Sequence, residues 1–248
     1  MHDFPELSES APRSSSGPFR FERDMFAGVS ELLPRYISRQ ADRLLQLKEP
    51  TVGKVIPDLL FGEWNDELRP LKKNFTFIEA RILALLEQYD ELLVTEVSQM
   101  LHLSEPAAAR AFKRIERSGL VIQTREGKIS LDVGGFTRGL VVTAVELKLS
   151  RWREALDQAI SYLKFADRAY VVLDADRTVR DEDMVETFRA SRVGLFMLRL
   201  GELTELASAP NQHCVSVQRV QAVQKLCVSL TASGRLQSGV GTPRLEGV

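Results

Sequence analysis

Between residues 21 and 46, Phe26, Val29, Leu32, Leu33, Tyr36, Ile37, Leu44 and Leu45 recur at roughly helical spacing, with Pro34 expected to divide or kink the stretch. Residues 51–61 have strand character around Val52, Val55 and Ile56, which places Pro57-Asp58 at the end of a short strand. A charged linker covers 64–73, and the helical period then returns. Phe75, Ile78, Ile82, Leu85 and Leu86 predict one amphipathic helix and residues 92–100 a second. Leu103-Ser104-Glu105-Pro106 opens a third that runs to Ser118, with Ser104 as its N-cap. Gly119 stops that helix, and residues 120–125 and 128–133 read as two strands joined by a tight turn at Glu126-Gly127. Further on, a strand at 140–147, a helix at 151–165, a strand at 169–173, a helix at 181–191 and a strand at 193–198 alternate. That alternation predicts a mostly parallel sheet covered by helices.

Three helices followed by a β-hairpin is the order of a winged helix, here placed at 74–133. The stretch 95–120, with Leu-Ser before the third helix and Ser-Gly-Leu-Val after it, resembles the bacterial winged-helix regulator pattern. The expected fold class is therefore α/β, a central sheet flanked by helices and formed by residues 21–65 and 134–209, with an α+β winged-helix domain inserted into it. Residues 1–20 are polar and Pro/Ser-rich and are expected to be disordered. Residues 210–248 read as a partly disordered tail with one helix at 215–230.

Composition narrows the function classes. The formal net charge is −1, so any attraction to nucleic acid must come from a local basic patch. Only two cysteines, Cys214 and Cys227, are present, which excludes a disulfide framework and a paired-cysteine zinc pattern. The longest apolar runs fall far short of a membrane span, and the N-terminus does not read as a signal peptide. The expectation is a cytoplasmic protein with no membrane partner. His2, His102 and His213 are scattered and are read as incidental, and no phosphate-binding glycine loop or Ser-His-Asp order is present.

The chemistry-bearing stretch is Val141-Val142-Thr143-Ala144-Val145-Glu146-Leu147-Lys148, an apolar strand that ends in two charges. Residues two apart point the same way in a strand, so Glu146 and Lys148 project together from the sheet's carboxyl edge. A carboxylate and an ammonium are costly inside a buried strand unless they pair or serve a site. On the next helix Gln158 and Tyr162 are four apart and share a face.

Taken in order, Pro57-Asp58, Glu146-Leu147-Lys148 and Gln158-Ala159-Ile160-Ser161-Tyr162 resemble the PD-(D/E)XK restriction-endonuclease-like superfamily, especially its RecB-like nuclease branch. The similarity spans residues 25–65 and 134–205. It implies that Asp58 and Glu146, with the Leu147 carbonyl, hold Mg²⁺ or Mn²⁺. Lys148 would position or help deprotonate the attacking water and stabilise charge in the transition state. Gln158 and Tyr162 would support the site or contact the DNA strand, and Glu31 on the first helix is a weaker additional acidic ligand. The interval between Asp58 and Glu146 is far longer than the family's usual one, which requires the winged helix to be an insertion between two core strands.

In the third helix of the module Arg110, Lys113, Arg114 and Arg117 fall three or four apart, so one surface is cationic, and Lys128 in the hairpin adds a wing contact. The resulting expectation is a metal-dependent nuclease acting on DNA and targeted by the winged helix. The alternative is a non-catalytic DNA-binding regulator whose nuclease-like domain serves partner contact or a homodimer. Blander readings also stand. The basic residues can simply solvate a face of a protein-docking module, and Glu146 and Lys148 can form a surface salt bridge.

Overall fold

The computed structural model describes residues 18–66, 68, 71, 74–132 and 137–235. The disorder expected for 1–17 and for 236–248 lies outside the described residues. Residues 18–20, expected to belong to that disordered N-terminus, are instead placed. The Phe19 N–H donates to Asp174 at 3.0 Å, and the Phe19 side chain packs against the sheet.

A 3₁₀ turn, Glu22–Met25, leads into α1 (Phe26–Leu32), and Pro34 opens a separate short helix, α2 (Pro34–Ile37). Proline suits a first helical turn because it has no N–H to leave unpaired there. The helical reading fails beyond Ile37. Leu44 and Leu45 belong to a strand, β1 (Leu44–Lys48), which pairs antiparallel with β2 (Leu59–Trp64). The apolar residues Val52, Val55 and Ile56 belong to the connection between these strands. Val52 and Val55 exchange backbone hydrogen bonds around Gly53, whose φ of 61° suits a tight hairpin turn. Pro57-Asp58 therefore precedes β2 and does not end an earlier strand.

Next come α3 (Phe77–Tyr89), β3 (Glu91–Leu92), α4 (Val94–Leu101), α5 (Glu105–Glu116), β4 (Val121–Gln123) and β5 (Ile129–Leu131). Thr76 and Glu79 form a reciprocal capping box that starts α3. Ser104 holds the N-cap position of α5 but makes no side-chain capping bond. The small strands form an antiparallel sheet in the order β3-β5-β4. Leu92, read as the start of the second helix, pairs with Ile129 in this sheet. The turn of the hairpin is made at Gly127, with φ 77°.

The chain then returns through β6 (Leu140–Lys148), α6 (Trp152–Tyr162), β7 (Arg168–Asp174), α7 (Glu182–Ala190), β8 (Gly194–Arg199) and β9 (Glu202–Ala207). The main sheet runs β1-β2-β6-β7-β8-β9. Only β6-β7 and β7-β8 are parallel, and α6 and α7 are the crossover helices that join them. The other neighbouring pairs are antiparallel. The sheet is thus mixed and not mostly parallel, but the α/β class holds.

Residues 210–235 are not a tail. Ser216 caps α8 (Val217–Ala232), which buries Val220, Val223, Leu226, Cys227 and Leu230 between α3 and the sheet. Arg219 is 1% exposed, and its guanidinium meets Asp167 at 2.6 Å and the carbonyls of Leu140 and Phe165. Because of α8, one apolar cluster runs from the sheet into the helices of residues 77–116. A Cβ on Gly62 would come 2.9 Å from the Leu226 side chain, so β2 needs glycine there to admit α8.

Candidate active site and nucleic-acid interface

The register of β2 on β6 pairs Leu59 with Val145, which sets Asp58 beside the carboxyl end of β6. The Leu147 N–H donates to Asp58 Oδ2 at 2.7 Å and fixes the carboxylate there. Glu146 and Lys148 are both buried on β6, at 3% and 8% exposure, and Lys148 Nζ lies 3.1 Å from Glu146 Oε1. From α6 the Tyr162 hydroxyl donates to the other carboxylate oxygen, Glu146 Oε2, at 2.5 Å. Asp58, Glu146, Leu147, Lys148 and Tyr162 therefore converge at one end of the sheet. The Glu146–Lys148 pair is a buried contact and not a surface salt bridge.

Burial pushes the Asp58 carboxyl above its usual range, and the charges of Glu22 and Glu49 add to this. The Leu147 N–H and Lys148 oppose the shift only in part. Burial likewise raises Glu146, with Asp58 adding to the effect against the bonds from Tyr162 and Lys148. For Lys148 burial disfavours the ammonium. The hydrogen bond and charge of Glu146, followed by the charges of Glu22 and Asp58, outweigh it and hold the group above the ordinary lysine range. The Tyr162 hydroxyl is pushed up by burial and by Glu146, so it acts as a donor and not as a base. This direction favours the ammonium form of Lys148, which suits the electrostatic part of its expected role.

Gln158 lies one turn before Tyr162 but makes no side-chain bond to Asp58, Glu146 or Lys148. Its Oε1 is buried and unpartnered among the described residues. Glu31 is exposed on α1 and does not join the cluster. The acid that does is Glu22, in the 3₁₀ turn before α1, with its Oε2 3.5 Å from Lys148 Nζ. Its sequence context, between Phe21 and Arg23, offers no signal for that role.

As a donor set, Asp58, Glu146 and the Leu147 carbonyl are all hard oxygens, which suits Mg²⁺ or Mn²⁺. Burial raises the pKa of both carboxyls, and the charge of Asp58 adds to the rise at Glu146, which favours a compensating cation. Both Glu146 oxygens are however engaged by Tyr162 and Lys148. Among the described residues no group of three or more His, Cys, Asp or Glu side chains is arranged to hold a metal ion. The donors fit by type, and Glu146 must exchange a partner to coordinate.

The basic residues of α5 divide into two sets. Arg114 is paired with Glu79, which is 4% exposed. Although burial works the other way, Arg114 and Thr76 hold the Glu79 carboxyl below its usual range. Lys128 lies 3.5 Å from both Glu126 and Glu91. Arg110, Lys113 and Arg117 are exposed and have no ion-pair partner among the described residues, so they carry the unneutralised charge of this surface.

No helix among the described residues is long and apolar enough to cross a membrane. No protein-family model and no curated protein matches the chain. Among solved structures it is similar to a protein of unknown function from Silicibacter pomeroyi, at 15% identity and a TM-score of 0.35. The match covers 81% of this chain and 86% of that one, a likeness too distant to bear on function.

Proposed function

We propose that this chain is a metal-dependent nuclease-like protein of the PD-(D/E)XK class that acts on DNA, with residues 74–133 serving as a winged helix that supplies DNA affinity. The observation that carries the reading is the convergence of Asp58, Glu146 and Lys148 at one end of the sheet, with Asp58 held by the Leu147 N–H. Asp58, Glu146 and the Leu147 carbonyl are the residues to hold Mg²⁺ or Mn²⁺. When bound, such an ion lowers the pKa of a coordinated water and neutralises phosphate charge. Lys148 presents a fixed ammonium to the charge that develops on the scissile phosphate. Tyr162 orients Glu146, and Glu22 pairs with Lys148. Arg110, Lys113 and Arg117 supply phosphate contacts on the module, and Arg114 belongs mainly to its packing.

Lys148→Ala tests the reading. It should abolish Mn²⁺-dependent cleavage of single- and double-stranded DNA while leaving DNA binding nearly intact. Cleavage by the variant equal to wild type sinks the site. A second reading, a non-catalytic DNA-binding regulator, is favoured by the engagement of both Glu146 oxygens within the protein. DNA binding without cleavage by the folded wild type selects it.

A further inference from the structure

At the opposite end of the sheet from Glu146, where β6 and β7 begin, Arg35, Arg39, Arg43, Arg138 and Arg168 line a cavity of about 660 Å³ with a single acidic neighbour in its wall, Glu63. Five guanidinium groups around one carboxylate are unexpected in a chain whose net charge is −1. The internal compensation is partial. Glu63 accepts from the Ser38 hydroxyl at 2.7 Å and lies 3.8 Å from Arg168. Arg43 meets Asp66 at 2.8 Å, but Asp66 is almost fully solvated, and such pairs contribute little. Arg35, Arg39 and Arg138 have no ion-pair partner among the described residues. The Nε of Arg168 is buried with no acceptor there, an arrangement that leaves a desolvated donor unsatisfied.

We propose that this cavity binds a small polyphosphate ligand of nucleotide size. The guanidinium fork matches phosphate oxygens two at a time, and several forks around one space call for an anion with several charged groups. The volume lies in the range of small-molecule sites. Tyr36 adds a half-exposed ring whose hydroxyl is tied to the Leu203 carbonyl at 2.6 Å, a fixed aromatic wall for a base. The site is separate from the Asp58–Glu146 cluster and does not depend on the nuclease reading.

Calorimetric titration of ATP, pyrophosphate and a 5′-phosphorylated oligonucleotide into the metal-free protein tests the proposal. Wild type should bind ATP and pyrophosphate. Arg39→Ala with Arg138→Ala should weaken both by at least roughly tenfold, as expected for removal of charge-assisted hydrogen bonds. Both arginines are exposed, so an unchanged melting temperature without ligand certifies folding. Lys225→Ala, at an exposed position of α8 outside the cavity lining, should leave ATP binding unchanged. Three results overturn the assignment: no binding by wild type, equal ATP affinity in the double variant, or binding of the oligonucleotide alone.

Discussion

Asp58 and Leu147, 89 positions apart in the chain, are joined by a hydrogen bond of 2.7 Å from the Leu147 N–H to the Asp58 carboxylate. The bond closes across the whole excursion between β2 and β6, and it brings Asp58 to Glu146 and Lys148. Two adjacent strands in register are what make this possible, since a small error in the β2–β6 pairing would move Asp58 away from the cluster.

Glu146 gives a pH prediction. Its folded pKa is raised, so its protonated form is favoured in the folded state, and the associated stability is present at low pH and lost as pH rises through the raised value. Glu146→Gln should therefore gain stability relative to wild type as pH rises from the ordinary carboxylate range toward neutrality. Melting temperatures of both metal-free proteins across that range check this, and a pH-independent difference contradicts it.

Tyr162→Phe deletes the donor to Glu146 Oε2 and leaves a buried carboxylate oxygen short of a partner. The expected cost at neutral pH is about 1–3 kcal/mol in urea denaturation. The loss should shrink at acid pH, where Glu146 takes a proton. A loss of the same size at both pH values would mean that the ring packing matters and the hydroxyl does not.

Arg219→Met removes one half of the Asp167–Arg219 pair, in which both side chains are nearly fully buried. Breaking such a pair costs about 3–5 kcal/mol because the remaining charge is left uncompensated. Asp167 also accepts the Val142 N–H at 2.6 Å, so the damage should reach β6. Asp167→Asn with Arg219→Met should recover part of the loss, measured by the same denaturation.

On the basic surface, Lys113→Ala with Arg117→Ala should weaken DNA binding and flatten the dependence of log affinity on log salt, by about one unit of slope for each phosphate no longer neutralised. Arg114→Ala should instead act first on stability, because Arg114 compensates the buried Glu79. Unchanged DNA affinity in the Lys113/Arg117 variant would point the module toward protein docking.

How legible these features are in the sequence depends on whether the signal is local. From Leu140 to Leu198 the strands are continuous apolar runs and the helices between them are amphipathic, so type and order can be read directly. The strand β1 is misread because Leu44 falls two helical turns after Ile37, and only pairing with β2 settles its conformation. Leu92 fails in the same way, since its partner Ile129 is distant in sequence. The strand β9 gives no clear pattern, because Glu202-Leu203-Thr204-Glu205 lies on an edge and is half exposed. At the site, Glu146, Lys148 and Tyr162 follow from strand and helix periods. Glu22 does not, since its approach to Lys148 depends on how the N-terminal turn packs at the end of β6. The integration of α8 is hidden for a similar reason, because Arg219 gives no sign in sequence that Asp167 awaits it.

Isothermal titration of Mn²⁺ into wild type and Glu146→Ala tests most directly whether Asp58 and Glu146 form a divalent-cation site. Wild type should bind saturably, and the variant should lose that binding while keeping its fold. No binding by folded wild type, or equal binding by the variant, would contradict that assignment.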